Sequence, residues 1–247
     1  MTNPRVVAFM ALHYGLEYIR QAIQSVQHAV DCFVFCYSNV GSHGHVADVV
    51  CPESEQQLQK AVSEVLTIPF KWYRGRWPHE GAQRDYVYEL EPDADLIIVV
   101  DSDEIYAPGA VEAAIEQGLA MGVRNGHLRF RHFWRSFGWY CEDEAQPIRV
   151  INPHHADGHA YLDVPPVYHM GYAQRLDIIQ YKIMIHGHRA EWREDWLRLF
   201  KAWTPQHGPM TDLHPTCYDF WTAKPFAQEQ LPPLLKEHPY FGLEVIR

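Results

Sequence analysis

Three carboxylates follow directly on an apolar run in Leu96-Ile97-Ile98-Val99-Val100-Asp101-Ser102-Asp103-Glu104. Hard oxygen donors suit Mg²⁺ or Mn²⁺, ions that take few protein ligands and complete their shells with phosphate oxygens and water. In extended chain alternate residues point the same way, so Asp101 and Asp103 are expected to converge on one point. The bland alternative for a bare D-x-D is a solvated acidic turn. The buried strand before it and the Pro108-led helix after it favour the metal reading.

The elements that must position these acids read as an alternation. Val6 to Leu12 is a β-type run ending at His13-Tyr14-Gly15, and Leu16, Ile19, Ile23, Val26 and Val30 then recur at helical spacing. Phe33 to Tyr37 predicts a second strand, Leu58 to Val65 a second helix, Phe70 to Tyr73 a third strand and Ala82 to Leu90 a third helix. Leu96 to Val100 has the continuous β-branched character of a strand buried on both faces. Pro108 to Leu119 predicts a fourth helix, with Pro108 in its first turn. Such a βαβαβαβα order implies a mostly parallel α/β sheet with right-handed crossovers, whose ligands bind at the carboxyl ends of the strands.

The second half changes character. His127 to Tyr140 reads as one aromatic, arginine-rich strand and Pro147 to Ile151 as another, while Ile178 to Ile185 suits helix or strand. No repeat or low-complexity linker divides the chain. The expectation is one domain over residues 1–247, with a nucleotide-sugar-binding half over about 1–120 and an acceptor-binding half over about 121–247.

Composition narrows the function classes. The 247 residues are 47% hydrophobic and 21% charged, which excludes a mainly disordered chain. A net charge of −10 argues against coating nucleic acid or anionic membrane by bulk electrostatics, though it leaves room for a local basic groove. The longest clean apolar run is far too short for a membrane span, and the N-terminus lacks the features of a signal peptide. The 5 cysteines form no CxxC pair, so reduced thiols in a cytoplasm are expected.

Strand–D-x-D–acid after a βαβαβα unit resembles the nucleotide-sugar glycosyltransferases of the GT-A fold, near family-2-like members. Ala82-Gln83-Arg84-Asp85 resembles the helix whose Arg faces the nucleotide, and His169-Met170-Gly171-Tyr172 the late segment that returns a histidine to the metal. Lys182 resembles the lysine that accompanies it. The likeness covers about residues 5–185 and departs at the first strand, where His13-Tyr14-Gly15-Leu16-Glu17 replaces Asn-Glu-Glu.

The resemblance implies Mn²⁺ or Mg²⁺ and a nucleoside-diphosphate sugar, a UDP-sugar first among them. Asp103 and His169 would ligate the metal, and Asp101 would reach it through water or face the ribose. Arg84 and Lys182 are candidate phosphate partners, with ordinary surface charge as the alternative for each. His13, and Ser38 in the loop from Ser38 to His45, would lie by the nucleotide.

Sugar transfer to a hydroxyl with inversion needs a base. Trp139-Tyr140-Cys141-Glu142-Asp143-Glu144 offers carboxylates beside aromatics, with Asp143 as the first candidate and Glu142 as the reserve. Retaining and inverting outcomes both stay open.

The 16 histidines raise a second metal question. His43-Gly44-His45 and His186-Gly187-His188 could bind zinc if each pair projected to one side, but the H-x-H-x-D-H continuation of a metallohydrolase is missing. A zinc hydrolase and a non-catalytic sugar- or nucleic-acid-binding module are the rival classes. Phe130, Phe133, Trp134, Phe137, Trp139 and Tyr140 suit a core, yet they interleave with Arg129, Arg131, His132 and Arg135. That mix suits a sugar ring or a base flipped from DNA. The blocks Ser42 to His45, His132 to Ser136 and Ile185 to His188 also resemble glycosyltransferase-like proteins of phages and viromes. Some of these glycosylate 5-hydroxymethyl pyrimidines, which makes hydroxymethylated DNA an implied acceptor.

Overall fold

The computed structural model describes residues 3–41, 50–142, 146–185, 189–218 and 220–245. β1 (Val6–Leu12), β2 (Cys32–Tyr37), β3 (Phe70–Arg74) and β4 (Leu96–Val99) pair in parallel in the order β3-β2-β1-β4. The sheet continues past β4 through β9 (Ile148–Ile151), β6 (Asn125–His127) and β10 (His159–Tyr161), giving seven strands. The β4–β9 and β9–β6 pairs are antiparallel. The expected mostly parallel sheet flanked by helices is therefore present.

Hydrophobic alternation explains why helices lie on both faces. Ala8, Met10 and Leu12 of β1 pack with Phe33, Phe35 and the buried sides of α1 (Ile19–Val26), α2 (Glu55–Val65) and α4 (Ala110–Ala120). Val7 and Phe9 point the other way, joining Val34, Ile97 and Val87 of α3 (Glu80–Leu90). α2 starts at a capping box, Ser54 with Gln57, so its first-turn amides are satisfied locally.

A second sheet of five strands has the order β12-β8-β7-β11-β5. It comprises β5 (Glu104–Tyr106), β7 (Phe130–Trp134), β8 (Trp139–Glu142), β11 (Val167–Tyr172) and β12 (Ala223–Pro225). α5 (Leu176–Ile185) follows β11, and Trp196 and Phe200 of α6 (Trp196–Ala202) pack with Trp134, Trp203 and Trp221. The C-terminal segment runs through α7 (Pro233–Lys236) and stacks His238 on Tyr18, ring centroids 4.6 Å apart. β4 belongs to the first sheet and β5 to the second, so the short acidic turn between them joins the two.

Three expectations need correction. The aromatic stretch from His127 to Tyr140 is not one strand: β6 lies in the first sheet, and β7 and β8 form an antiparallel pair in the second. Aromatic residues on both sides of the breaks hid them, because both faces of β7 are largely buried. α4 begins at Ala110 after Gly109, whose φ is 79°, so Pro108 precedes the helix. The chain turns between Asp101 and Glu104 rather than running extended. Ile178 to Ile185 resolves as helix, and among the described residues no helix is long and apolar enough to cross a membrane.

Phe33 is fully buried and stacks on Phe35 at 5.0 Å. Phe33→Ala is expected to lower unfolding stability by about 3–5 kcal/mol in urea titrations, through lost burial and the cavity left behind.

Candidate functional site

Reversal of strand order places β2 on one side of β1 and β4 on the other, and the crevice opens at their carboxyl ends. A cleft of about 730 Å³ lies there, lined among others by His13, Arg84, Asp101, Asp103, Arg149 and His169.

The β1 end is pinned against the acidic turn. Ser102 Oγ donates to the carbonyl of Tyr14 at 2.9 Å, and buried Glu53 accepts from the backbone amides of Gly15 (2.6 Å) and Leu16 (2.9 Å). Gly15 has φ 149°, and a Cβ there would fall 2.3 Å from the Cβ of Ser102. Only glycine allows this approach.

The turn sends its acids to different partners. The amide of Glu104 donates to the carbonyl of Asp101 at 3.0 Å, and the amide of Asp101 donates to Glu104 Oε2 at 3.1 Å. Asp101 accepts from Arg84 Nη2 on both oxygens at 3.1 Å and from Arg149 Nη2 at 2.9 Å. Glu104 accepts Arg149 Nε at 2.7 Å and also Arg149 Nη2, a two-point contact. The Arg149 guanidinium lies 5.0 Å from the ring centroid of Phe130. Burial opposes ionisation of Asp101, but Arg84 and Arg149 outweigh it and hold the carboxyl below the usual carboxylate range. Burial pushes Glu104 up, with the Arg149 charge pulling against it.

Asp103 faces the other sheet. Its carbonyl accepts the amide of Met170 at 2.7 Å, and its Oδ2 accepts Gln174 Nε2 at 2.8 Å. Lys182 Nζ stands 3.5 Å and His169 Nε2 3.7 Å from that same oxygen. Lys182 also sits 5.0 Å from the ring centroid of Tyr172. A Cβ on Gly171 would lie 2.4 Å from the His169 ring and 2.6 Å from Lys182 Nζ, so glycine is what lets both reach Asp103.

One ligand atom each from Asp103, Glu104 and His169 lies within 4.8 Å of the others. Asp103 and His169 suit a hard divalent cation such as Mn²⁺ or Mg²⁺, with Glu104, whose two oxygens are already held by Arg149, behind them. Burial first, then the charge of Lys182, lowers the pKa of His169 well below its ordinary value, which keeps the ring neutral and able to ligate.

Of the residues singled out in the sequence, Asp101, Asp103, His169, Lys182, Arg84 and His13 line the cleft together. His13 Nδ1 donates to the carbonyl of Ser38 at 2.9 Å, whereas the Ser38 hydroxyl is buried against Val40. Glu142 stands on β8, bound to Lys224 Nζ at 2.5 Å, and is not among the cleft-lining residues. Asp143, His43, His45, His186 and His188 lie outside the described residues. Arg149 and Gln174 escaped sequence reading. A single Arg inside the apolar strand Ile148-Arg149-Val150-Ile151 was the available signal for the first.

No protein-family model matches the sequence, and no curated protein matches it. Among solved structures, glucosyl-3-phosphoglycerate synthase from Mycobacterium tuberculosis, crystallised with Mn²⁺, UDP and phosphoglyceric acid, matches at 14% identity and TM-score 0.36. That match covers 54% of this chain and 44% of the synthase, so it spans less than half of the neighbour's length. A 4-diphosphocytidyl-2C-methyl-D-erythritol synthase from Anaerococcus prevotii matches at 9% identity and TM-score 0.41, over 72% of this chain and 96% of that one.

Arg149→Met leaves Glu104 buried without its partner, and a stability loss of about 3–5 kcal/mol at neutral pH is expected. The stranded carboxyl has a folded-state pKa above its unfolded value. The deficit is therefore largest above the folded pKa and shrinks as pH falls toward the unfolded one. Urea unfolding of both proteins across that range reads this directly.

Proposed function

We propose that the chain is a metal-dependent glycosyltransferase, moving a sugar from a nucleoside diphosphate, a UDP-sugar first among them, to an acceptor hydroxyl. The observation that carries this is the grouping of Asp103, Glu104 and His169 at a strand-order reversal, with Lys182 beside Asp103. Asp103 and His169 would hold Mn²⁺ or Mg²⁺, with Glu104 behind them on Arg149. A divalent cation there supplies Lewis-acid stabilisation of the departing diphosphate.

The chain's own groups do the rest. Lys182, packed on Tyr172, brings a point charge to the phosphate that gathers negative charge. Arg84, anchored by Asp101 and by Glu80 at 2.9 Å, offers a guanidinium edge to the cleft. His13 borders the donor at the β1 end, with Ser38 supporting its ring through the backbone. Asp143 remains the base proposed for the acceptor hydroxyl, with Glu142 in reserve.

The acceptor we favour is the hydroxymethyl group of a modified pyrimidine in DNA, over glycan or protein hydroxyls. Besides the phage-like blocks, support comes from the cleft lining, where Arg124 lies 4.6 Å over the ring of Tyr88 and Asn125 also faces the cleft. A cation joined to an aromatic face suits a phosphate next to an exposed base. The same reading takes residues 1–247 as one domain acting in the cytoplasm, in keeping with five free thiols.

The test is thermal unfolding with UDP-, GDP-, CMP- and dTDP-sugars, each with and without Mn²⁺. A ligand at 100 times its Kd stabilises by about 2.7 kcal/mol, which for a chain of this size is a Tm rise of roughly 5–11 °C. UDP-sugar with Mn²⁺ is expected to give that rise, and Asp103→Asn to abolish it. Gly171→Ala is expected to weaken it by driving His169 and Lys182 away from Asp103. A rise that is equal without metal, or equal in Asp103→Asn, overturns the proposal.

A further inference from the structure

A metal-ligating imidazole needs its second nitrogen fixed, since that contact sets both the tautomer and the orientation of the ring. Among the described residues the Nδ1 of His169 meets no carboxylate or carbonyl; it faces the Nδ1 of His132 at 2.7 Å. The two residues sit side by side in register on parallel strands β11 and β7. Their rings meet edge to face, with centroids 4.8 Å apart and planes at 84°.

We propose that His132 is the positioning residue for the cation site: its Nδ1 accepts the Nδ1–H of His169, leaving the Nε2 of His169 bare and directed at Asp103. This rests on the reading above, in which Asp103 and His169 hold a divalent cation. A separation of 2.7 Å between two nitrogens requires one hydrogen between them. If His132 donates it, the hydrogen of neutral His169 sits on Nε2 and that atom cannot ligate. If His169 donates it, Nε2 has a free lone pair 3.7 Å from Asp103 Oδ2. Cation binding selects the second arrangement, and His132 is what makes it available.

The surroundings of His132 suit that duty. The ring stacks on Trp221 with centroids 4.6 Å apart and planes at 29°, and Phe130 flanks it at 5.6 Å. Only 8% of the residue is exposed, so water competes poorly for the contact. Burial, reinforced by the charge of Lys182, favours the neutral ring, which is the form with an acceptor nitrogen. A neutral partner also differs in effect from a carboxylate: it orients the ring without adding negative charge beside Asp103 and Glu104.

The test compares Mn²⁺ binding to the full chain, read by loss of the free-ion EPR signal, in wild type, His132→Phe and His132→Asn. Phe keeps an aromatic ring against Trp221 but has no acceptor, whereas Asn keeps a carbonyl acceptor. His132→Phe is expected to raise the Kd for Mn²⁺ about 10–100-fold, and His132→Asn to recover most of that loss. In parallel, ¹⁵N spectra of wild-type protein with saturating Mg²⁺ are expected to show the hydrogen of His169 on Nδ1. Equal Kd values in wild type and His132→Phe, or a His169 hydrogen that stays on Nε2 with Mg²⁺ bound, overturn the role of His132. A wild-type chain that binds no Mn²⁺ removes the metal site itself, and this inference with it.

Discussion

Two-point capture of Glu104 by Arg149 is the contact on which the site is built. Three consecutive-turn acids cannot remain ionised out of water without compensating charge, because desolvation of each carboxylate costs more than packing returns. Arg149 comes from β9 of the seven-stranded sheet, and Glu104 opens β5 of the five-stranded one. The same guanidinium also reaches Asp101, where Arg84 completes the neutralisation. Replacing such a cluster with apolar residues of equal volume would often cost no stability. Its contribution here is geometric: it fixes the junction of the two sheets and consumes Asp101 and Glu104 so that Asp103 is turned elsewhere.

Charge balance then accounts for what that turned carboxylate can do. Arg84, Arg149 and Lys182 stand against Asp101, Asp103 and Glu104, so the described part of the cleft floor is close to neutral. The two arginines are committed at hydrogen-bond distance, while Lys182 is held only loosely, 3.5 Å from Asp103. A neutral floor does not repel a diphosphate, and a cation arriving with it adds positive charge where the leaving group gathers negative charge. An ammonium on a flexible stem can follow that charge as it moves, which a guanidinium clamped by two carboxylates cannot.

How much of this was legible in the sequence depended on which force set each feature. Periodic burial wrote β1 to α4 into the pattern of apolar residues, and Asp103, His169 and Lys182 did come together in one cleft. The fate of Asp101 was illegible, because a turn replaced the extended geometry and its partners, Arg84 and Arg149, come from distant elements. Glu142 looked like an acceptor-side acid among aromatics. Its neighbour on the facing strand is Lys224, and only strand pairing between β8 and β12 reveals that ion pair. His132 read as one more ring in an aromatic strand; the parallel register of β7 with β11 is what sets it against His169. In each case the missing information was a long-range pairing, which local spacing does not encode.

Two positions without side chains show how tightly fold and site are bound together. Gly15 lets the end of β1 press onto Ser102, and Gly171 lets His169 and Lys182 fold over β11 onto Asp103. One lies at the first sheet and the other in the second, on either side of the acidic turn. A methyl group at either place would stand 2.3 or 2.4 Å from an existing atom, well inside van der Waals contact, so the turn is squeezed from both flanks. Close packing makes such a junction resist gradual deformation. The Asp103–His169 spacing is therefore set by backbone approach at two glycines and by one buried arginine, before any ion or nucleotide arrives.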